Sequence, residues 1–363
     1  MAFRLHYQYM PPIFYITALY ASGIIFQWYF WYTFCILGLL APLFYFITRN
    51  NCFLALYCCL IFGATRYQCT VYNWHNFAQN VHKKTYTTYG CVHDIAHTTD
   101  PHPSTKIRCT IKDPTCPLYN KTVLIYTKRK IPVRYYDTVH LNNITINRPN
   151  TDTFCNYLIK EHVAATIFAP STALEITHNK TLLGALAEVP CVLLYALQTK
   201  MSPRTFNFFS SLFMGKRTQE TIQTQVDFKK WGIAHYIARS GLHLAIIAGL
   251  WEFLVRFIPL SWCFRQTLLI YIITTYFLLT WPSISFIRSI STYLIIKFYA
   301  LKKRQHHFLH VLLSILFLFL LYNPLYLFFL DFQLTFLLTA TLVWFATINA
   351  INIKLLPTKN RTL

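Results

Sequence analysis

The sequence predicts a multi-pass α-helical membrane protein with an inserted small all-β domain on the extracytoplasmic side. Three observations predict it. Of 363 residues, 55% are hydrophobic and 12% charged, and mean hydropathy is +0.37, outside the range of soluble globular chains. The apolar residues gather in long runs towards both ends, with a polar stretch of short alternating segments between them. The basic residues cluster between the apolar runs so that one topology satisfies the clusters of the main membrane block.

Residues 1–65 hold three apolar runs, at about Pro12–Gln27, Tyr29–Ile47 and Cys52–Ala64, the last short for a span. The first passes straight into the second, as an uncleaved anchor would. With Arg4 and Arg49 inside, the chain emerges on the outer side near Arg66. Residues 66–165 change character. Lys106–Lys112, Thr122–Tyr126 and Asp137–Leu141 alternate as strands do, separated by turn signals at Asp113-Pro114, Pro117 and Asn142-Asn143. This pattern predicts a small antiparallel barrel or sandwich, followed by a short helix at Asp152–Lys160. Residues 181–230 read as interfacial helices, with Thr181–Thr199 apolar enough to lie along a membrane surface. From 231 onward the spacing predicts spans at about Gly232–Phe253, Thr267–Trp281, Ile284–Leu301, Phe308–Tyr322 and Leu325–Asn349. Arg256, Arg265, Lys302-Lys303-Arg304, Lys354, Lys359 and Arg361 then all face the cytoplasm.

The formal net charge is +21, from 33 Lys and Arg against 12 Asp and Glu. Such an excess has three ordinary sources: positive-inside loops, anionic lipid and a polyanionic partner. The polar region itself carries 14 Lys and Arg against 7 Asp and Glu between Arg66 and Lys180, more than cytoplasmic loops require. No P-loop is present, so a nucleotide-driven motor would have to be another chain. Of the 11 cysteines, Cys69, Cys91, Cys109, Cys116 and Cys155 fall in the polar region, where an oxidising compartment would permit a disulfide of unreadable connectivity. Cys91, His93, His97 and His102 match no standard zinc spacing and read as a loop.

The segment Gly232–Leu250 carries the most information. Ionisable groups in a bilayer cost several kcal/mol each unless a partner or polar path receives them. At helical spacing His235, Arg239 and His243 form one stripe, Ser240 flanks it, and Gly241 admits a close neighbouring backbone. The competing reading is a helix end at the interface, with its histidines reaching the headgroups. A metal shared by the two histidines is excluded, since eight helical residues separate them by about 12 Å. Ser240 and His243 imitate a nucleophile pair with poor geometry on one helix. Further on, Pro282–Arg288 sets an arginine inside an apolar span, and Leu330–Phe336 sets Asp331, Gln333 and Thr335 inside another. Asp331 is expected either to pair with Arg288 or Arg239 or to act directly. In the β region, Lys and Arg interleave with Tyr119, Tyr126, Tyr135 and Tyr136, a pattern suited to single-stranded nucleic acid and equally common on solvated strands.

Taken in order, these pieces resemble the ComEC family of competence proteins, the inner-membrane DNA channels of natural transformation. The resemblance rests on Gly232, His235, Ala238, Ser240, Gly241, Leu242 and His243, on Phe213–Arg217, on Pro282–Arg288, and on Asn323-Pro324-Leu325 with Asp331–Phe336. Arg239 and Thr335 depart from the family's usual residues. The resemblance implies that the β domain is OB-like. It also implies uptake of single-stranded DNA across the inner membrane, along a path of His235, Arg239, Ser240, Gly241, His243, Arg288, Asp331 and Gln333. The expected partners are single-stranded DNA, the lipid bilayer, a cytoplasmic ATP-driven translocase, a separate nuclease and a second copy of the chain; no cofactor or metal is expected. Family members usually run longer, many into a nuclease domain, so this chain is expected to be a short form without that domain. Two other readings compete: an intramembrane serine hydrolase, and a truncated remnant without transport activity.

Overall fold

The computed structural model describes residues 12–29, 51–98, 104–129, 131–147, 151–179, 181–216, 219–231, 241–305 and 307–355. Within them the chain is mostly helical with one six-stranded sheet. The helices are α1 (Pro12–Tyr29), α2 (Asn51–Val81), α3 (Asp152–Lys160), α4 (Leu182–Gln198), α5 (Pro203–Phe209), α6 (Gln219–Lys230), α7 (Gly241–Arg256), α8 (Trp262–Leu278), α9 (Ile284–Leu301), α10 (Phe308–Tyr322) and α11 (Leu330–Leu355). The strands are β1 (Thr85–Thr98), β2 (Ser104–Ile111), β3 (Thr122–Thr127), β4 (Thr138–Asn147), β5 (Val163–Phe168) and β6 (Leu174–Thr177). Two compact units result. One holds α1, α2 as far as Gln68, α7, most of α8, and α9 to α11; the other holds the rest of α2, the sheet, α3 to α6 and the end of α8.

In the sheet unit the strands pair in the order β1-β2-β3-β5-β4, and β1 pairs again with β4, closing a ring to which β6 adds at β4. The long strand β1 makes closure possible. Its first half pairs with β4 and its second with β2, and both partners meet at Gly90, opposite Val139 and Ile111. A Cβ at Gly90 would lie 3.0 Å from the Thr110 carbonyl oxygen, so a side chain there would crowd the corner. Bulges at Tyr86/Thr88 and Val92/Asp94 bend the strand. The alternation of β2 sends Ile107, Cys109 and Ile111 into the core with Val92, Val123, Ile125, Val139, Leu141 and Ile167. Burial pushes the Cys109 thiol up to about 12, so it remains neutral. α3 packs outside the ring, where Leu124, Leu158 and Val163 form a second small core beside Trp74, whose Nε1 donates to the Val163 carbonyl at 2.7 Å.

Several expectations shift here. Strands β2 and β3 fall where alternation placed them, and α3 matches its expected bounds; β4 instead runs on through Asn142-Asn143, read as a turn, to Asn147, with Asn143 at φ 50°, and β3 pairs with β5 in parallel, where an antiparallel sheet was expected. α2 runs on to Val81, so the polar region opens with a helix end. Cys91, His93 and His97 stand on strand β1, not on a loop. Among the described residues no group of His, Cys, Asp and Glu could hold a metal, and no disulfide joins Cys69, Cys91, Cys109, Cys116 or Cys155. α4 starts at its Thr181 cap, whose hydroxyl accepts from Gly184 N at 3.1 Å. It leaves Leu182, Leu186, Val189 and Leu193 exposed along one face.

In the helical unit, α9 and α10 occupy the segments expected, and α8 begins five residues earlier than read, at Trp262. α9 is the helix among the described residues that is both long and apolar enough to cross a membrane; the apolar parts of α1, α4, α10 and α11 are shorter. The last expected span is broken. Pro324–Phe328 forms a 3-10 turn, and α11 starts afresh at Leu330.

Candidate functional site

Pro282 and Ser283 fix where α9 begins. The Ser283 hydroxyl accepts from Phe286 N at 3.3 Å, a side-chain cap that ends the preceding loop. Arg288 therefore falls on the second turn, inside the apolar segment. Its guanidinium donates to the Thr339 hydroxyl and, at 3.4 Å, to the Ser289 hydroxyl, and it lies 5.8 Å over the Phe336 ring. Thr339 donates in turn to the Thr335 carbonyl at 2.7 Å. The Arg288 Nε is buried without a partner among the described residues. A cation is thus held by hydroxyls and a ring face, an arrangement that keeps its charge available.

Gly241 opens α7 against this same turn. A Cβ there would meet the Ser289 Oγ at 2.6 Å, so glycine lets α7 and α9 approach. Ser289 donates to the Ser285 carbonyl at 2.9 Å and Thr292 to the Arg288 carbonyl at 2.8 Å, which lines α9 with small hydroxyls. His243 is half-buried two residues into α7. Further along both helices, Lys297 Nζ meets Glu252 Oε1 at 2.7 Å, and the Tyr293 hydroxyl donates to the same oxygen at 3.1 Å. Sequence reading missed Glu252 and Lys297, although charge inside an apolar run marks them as it marked Arg288.

The structure redistributes the other expected residues. His235, Arg239 and Ser240 lie outside the described residues, so the stripe they form with His243 does too. Asp331 is exposed in the first turn of α11, where a carboxylate complements the helix N-terminus. It stands eight residues before Thr339, about 12 Å along the helix, so the expected Arg288–Asp331 pair is not formed. Gln333 donates to the Leu327 carbonyl at 2.7 Å, and the buried Asn323 accepts from Leu325 N at 3.0 Å. These two amides satisfy the backbone where α10 breaks into α11, and Phe319, Tyr326, Phe332 and Phe336 pack around the break. The Phe213–Arg217 segment also has a structural task. Gly215, at φ 79°, ends a π-turn, and Phe213 and Met214 carbonyls accept from the Tyr276 hydroxyl at 2.5 Å and Trp281 N at 2.8 Å.

Tyr119, Tyr126, Tyr135 and Tyr136, read as one basic and aromatic pattern, stand at separate places in the sheet unit. Tyr119 is exposed on a turn and Tyr126 lies on β3. Tyr136 holds a left-handed turn position, its ring edge-on to His93. Burial, with Cys191 and Asp94 nearby, pushes the Tyr135 hydroxyl well above its ordinary range.

The helical unit thus carries a half-buried arginine, a line of small hydroxyls and an ion pair between α7 and α9, in a chain that also holds a small strand ring and one helix long and apolar enough to cross a membrane. The family model described as Competence protein matches residues 212–363, and this segment holds every candidate residue named above for the helical path. Over residues 212–363 the chain is thus similar to that family, in agreement with the resemblance read from the motifs of this segment. No curated protein and no solved structure matches the chain significantly.

Proposed function

We propose that the protein is a multi-pass membrane component of the path by which single-stranded DNA enters a competent cell. The observation that carries this reading is Arg288, a cation set in the apolar segment of α9 and held by hydroxyls and a ring, within the segment that matches the competence family. A phosphate passing such a group gains a contact that is easily replaced by the next one, which suits transit better than retention. His243, His235 and Arg239 would extend the cationic path, with Ser240 adding an uncharged hydrogen bond. Multi-pass insertion is supported by the unburied apolar surface of the helical unit, including Ile246, Leu250, Phe253, Leu337, Leu342 and Phe345, which only lipid or another apolar surface would match. The exposed apolar face of α4 supports an interfacial position for that helix.

The sheet unit fits an OB-like domain on the outer side. The supporting facts are the closed strand order and the parallel β3–β5 pair; the helix between β4 and β5 is an added feature. Energy and strand degradation would come from a cytoplasmic translocase and a separate nuclease. The test is transformation of a competent host lacking its own channel, with Arg288→Ala and His243→Ala beside the unaltered chain. Uptake lost in both variants supports the reading, and uptake equal to the unaltered chain in both overturns it.

A further inference from the structure

Strand register places three unlike side chains in one row across the sheet. Lys106 on β2 stands opposite Tyr126 on β3, and Tyr126 stands beside Phe168 on β5. Because Ile107 and Cys109 point into the core, Lys106 belongs to the outer face. The Tyr126 and Phe168 rings stack with centroids 5.3 Å apart and planes 20° from parallel. Phe168 is 62% exposed at the end of a strand whose other residues are buried. Lys106 Nζ sits 5.7 Å from the Tyr126 ring and 6.0 Å from the Tyr157 ring of α3. Tyr157 itself lies parallel to Phe154 at 6.0 Å. Arg108, one row along, bonds Glu161 at 2.8 Å. Burial, then the neighbouring Arg108, lowers the Lys106 pKa, so an arriving anion would relieve the lysine.

We propose that the Lys106–Tyr126–Phe168 row is a stacking platform for a base of single-stranded nucleic acid, with Lys106 and Arg108 meeting the backbone phosphates. The proposal rests on the uptake reading for its ligand and assigns that ligand a site outside the matched helical region. An exposed ring already stacked on a second ring presents one flat open face, which a planar base covers at little entropic cost. Lys106 lies two strand spacings from Phe168, about 10 Å, within reach of a phosphate flanking the stacked base. A duplex has no free base face to offer, so the site selects single strands.

The test uses the full chain in lipid nanodiscs and a fluorescent oligothymidylate. Phe168→Ala and Phe168→Leu are expected to weaken binding by about fivefold to a hundredfold. Phe168→Trp is expected to keep affinity, with its emission quenched on binding. Lys106→Gln is expected to lower the slope of log affinity against log salt by about 0.7, the share of one single-strand phosphate contact. Phe168→Leu binding within about twofold of the unaltered chain overturns the platform and leaves the uptake reading standing. No oligonucleotide binding by the unaltered chain overturns both.

Discussion

Arg288 and Gly241 meet at Ser289, and each can be tested there. Arg288→Gln keeps a donor for the Thr339 hydroxyl and removes the charge. It is expected to abolish uptake while the detergent-solubilised protein melts within a few degrees of the unaltered one. A loss of folded protein instead would make Arg288 a structural residue. At Gly241 an added methyl meets the Ser289 Oγ at 2.6 Å. Gly241→Ala is expected to cost about 1–3 kcal/mol, and Ser289→Ala in the same chain is expected to restore most of it, read as a melting temperature. Arg288 was legible in the sequence because charge inside an apolar run is rare. The task of Gln333 was not, because nothing in one sequence tells whether an amide faces cargo or a carbonyl six residues upstream.

The break between α10 and α11 depends on Asn323, fully buried, whose side chain accepts from Leu325 N. Asn323→Ala leaves that donor unsatisfied and is expected to lower stability by about 1–3 kcal/mol, whereas Asn323→Asp, which keeps the acceptor, is expected to lose less. In the sheet unit, burial and then Lys112 lower the His93 pKa. The folded state therefore binds a proton more weakly than the unfolded chain. Its stability contribution is present at neutral pH and is lost as pH falls below the ordinary histidine value of about 6.5. His93→Gln is expected to flatten that part of the stability profile between pH 7 and pH 5, measured by chemical denaturation. Elements with a clean period were legible: β2, β3 and the first half of β4 by alternation, α9 and α10 as unbroken apolar runs. β1 was hidden by its two bulges, which break the period. β5 was hidden because Val163-Ala-Ala-Thr-Ile167 is buried on both faces and shows no alternation. The break at Pro324 was hidden because apolar residues continue on both sides of it.

Across the whole molecule, charge is scarce inside the bundle and abundant outside it, and the internal charges have distinct tasks. Glu252 and Lys297 neutralise each other between α7 and α9, with Tyr293 completing the oxygen's contacts. Glu252 is 42% exposed and Lys297 keeps its contact with the Tyr293 ring, so Glu252→Gln is expected to cost only about 1 kcal/mol, read from melting curves. Arg288 is held by hydroxyls and a ring face, and in the proposed uptake it is the cation of α9 that meets a passing anion. If this cation serves DNA entry, transformation depends on its charge. The most direct measurement is transformation frequency in a competent host lacking its own channel, for the chain with Arg288, with Arg288→Lys and with Arg288→Ala at matched membrane abundance. Uptake is expected with Arg288, partial uptake with lysine and none with alanine. Equal transformation by the arginine and alanine chains would contradict that dependence.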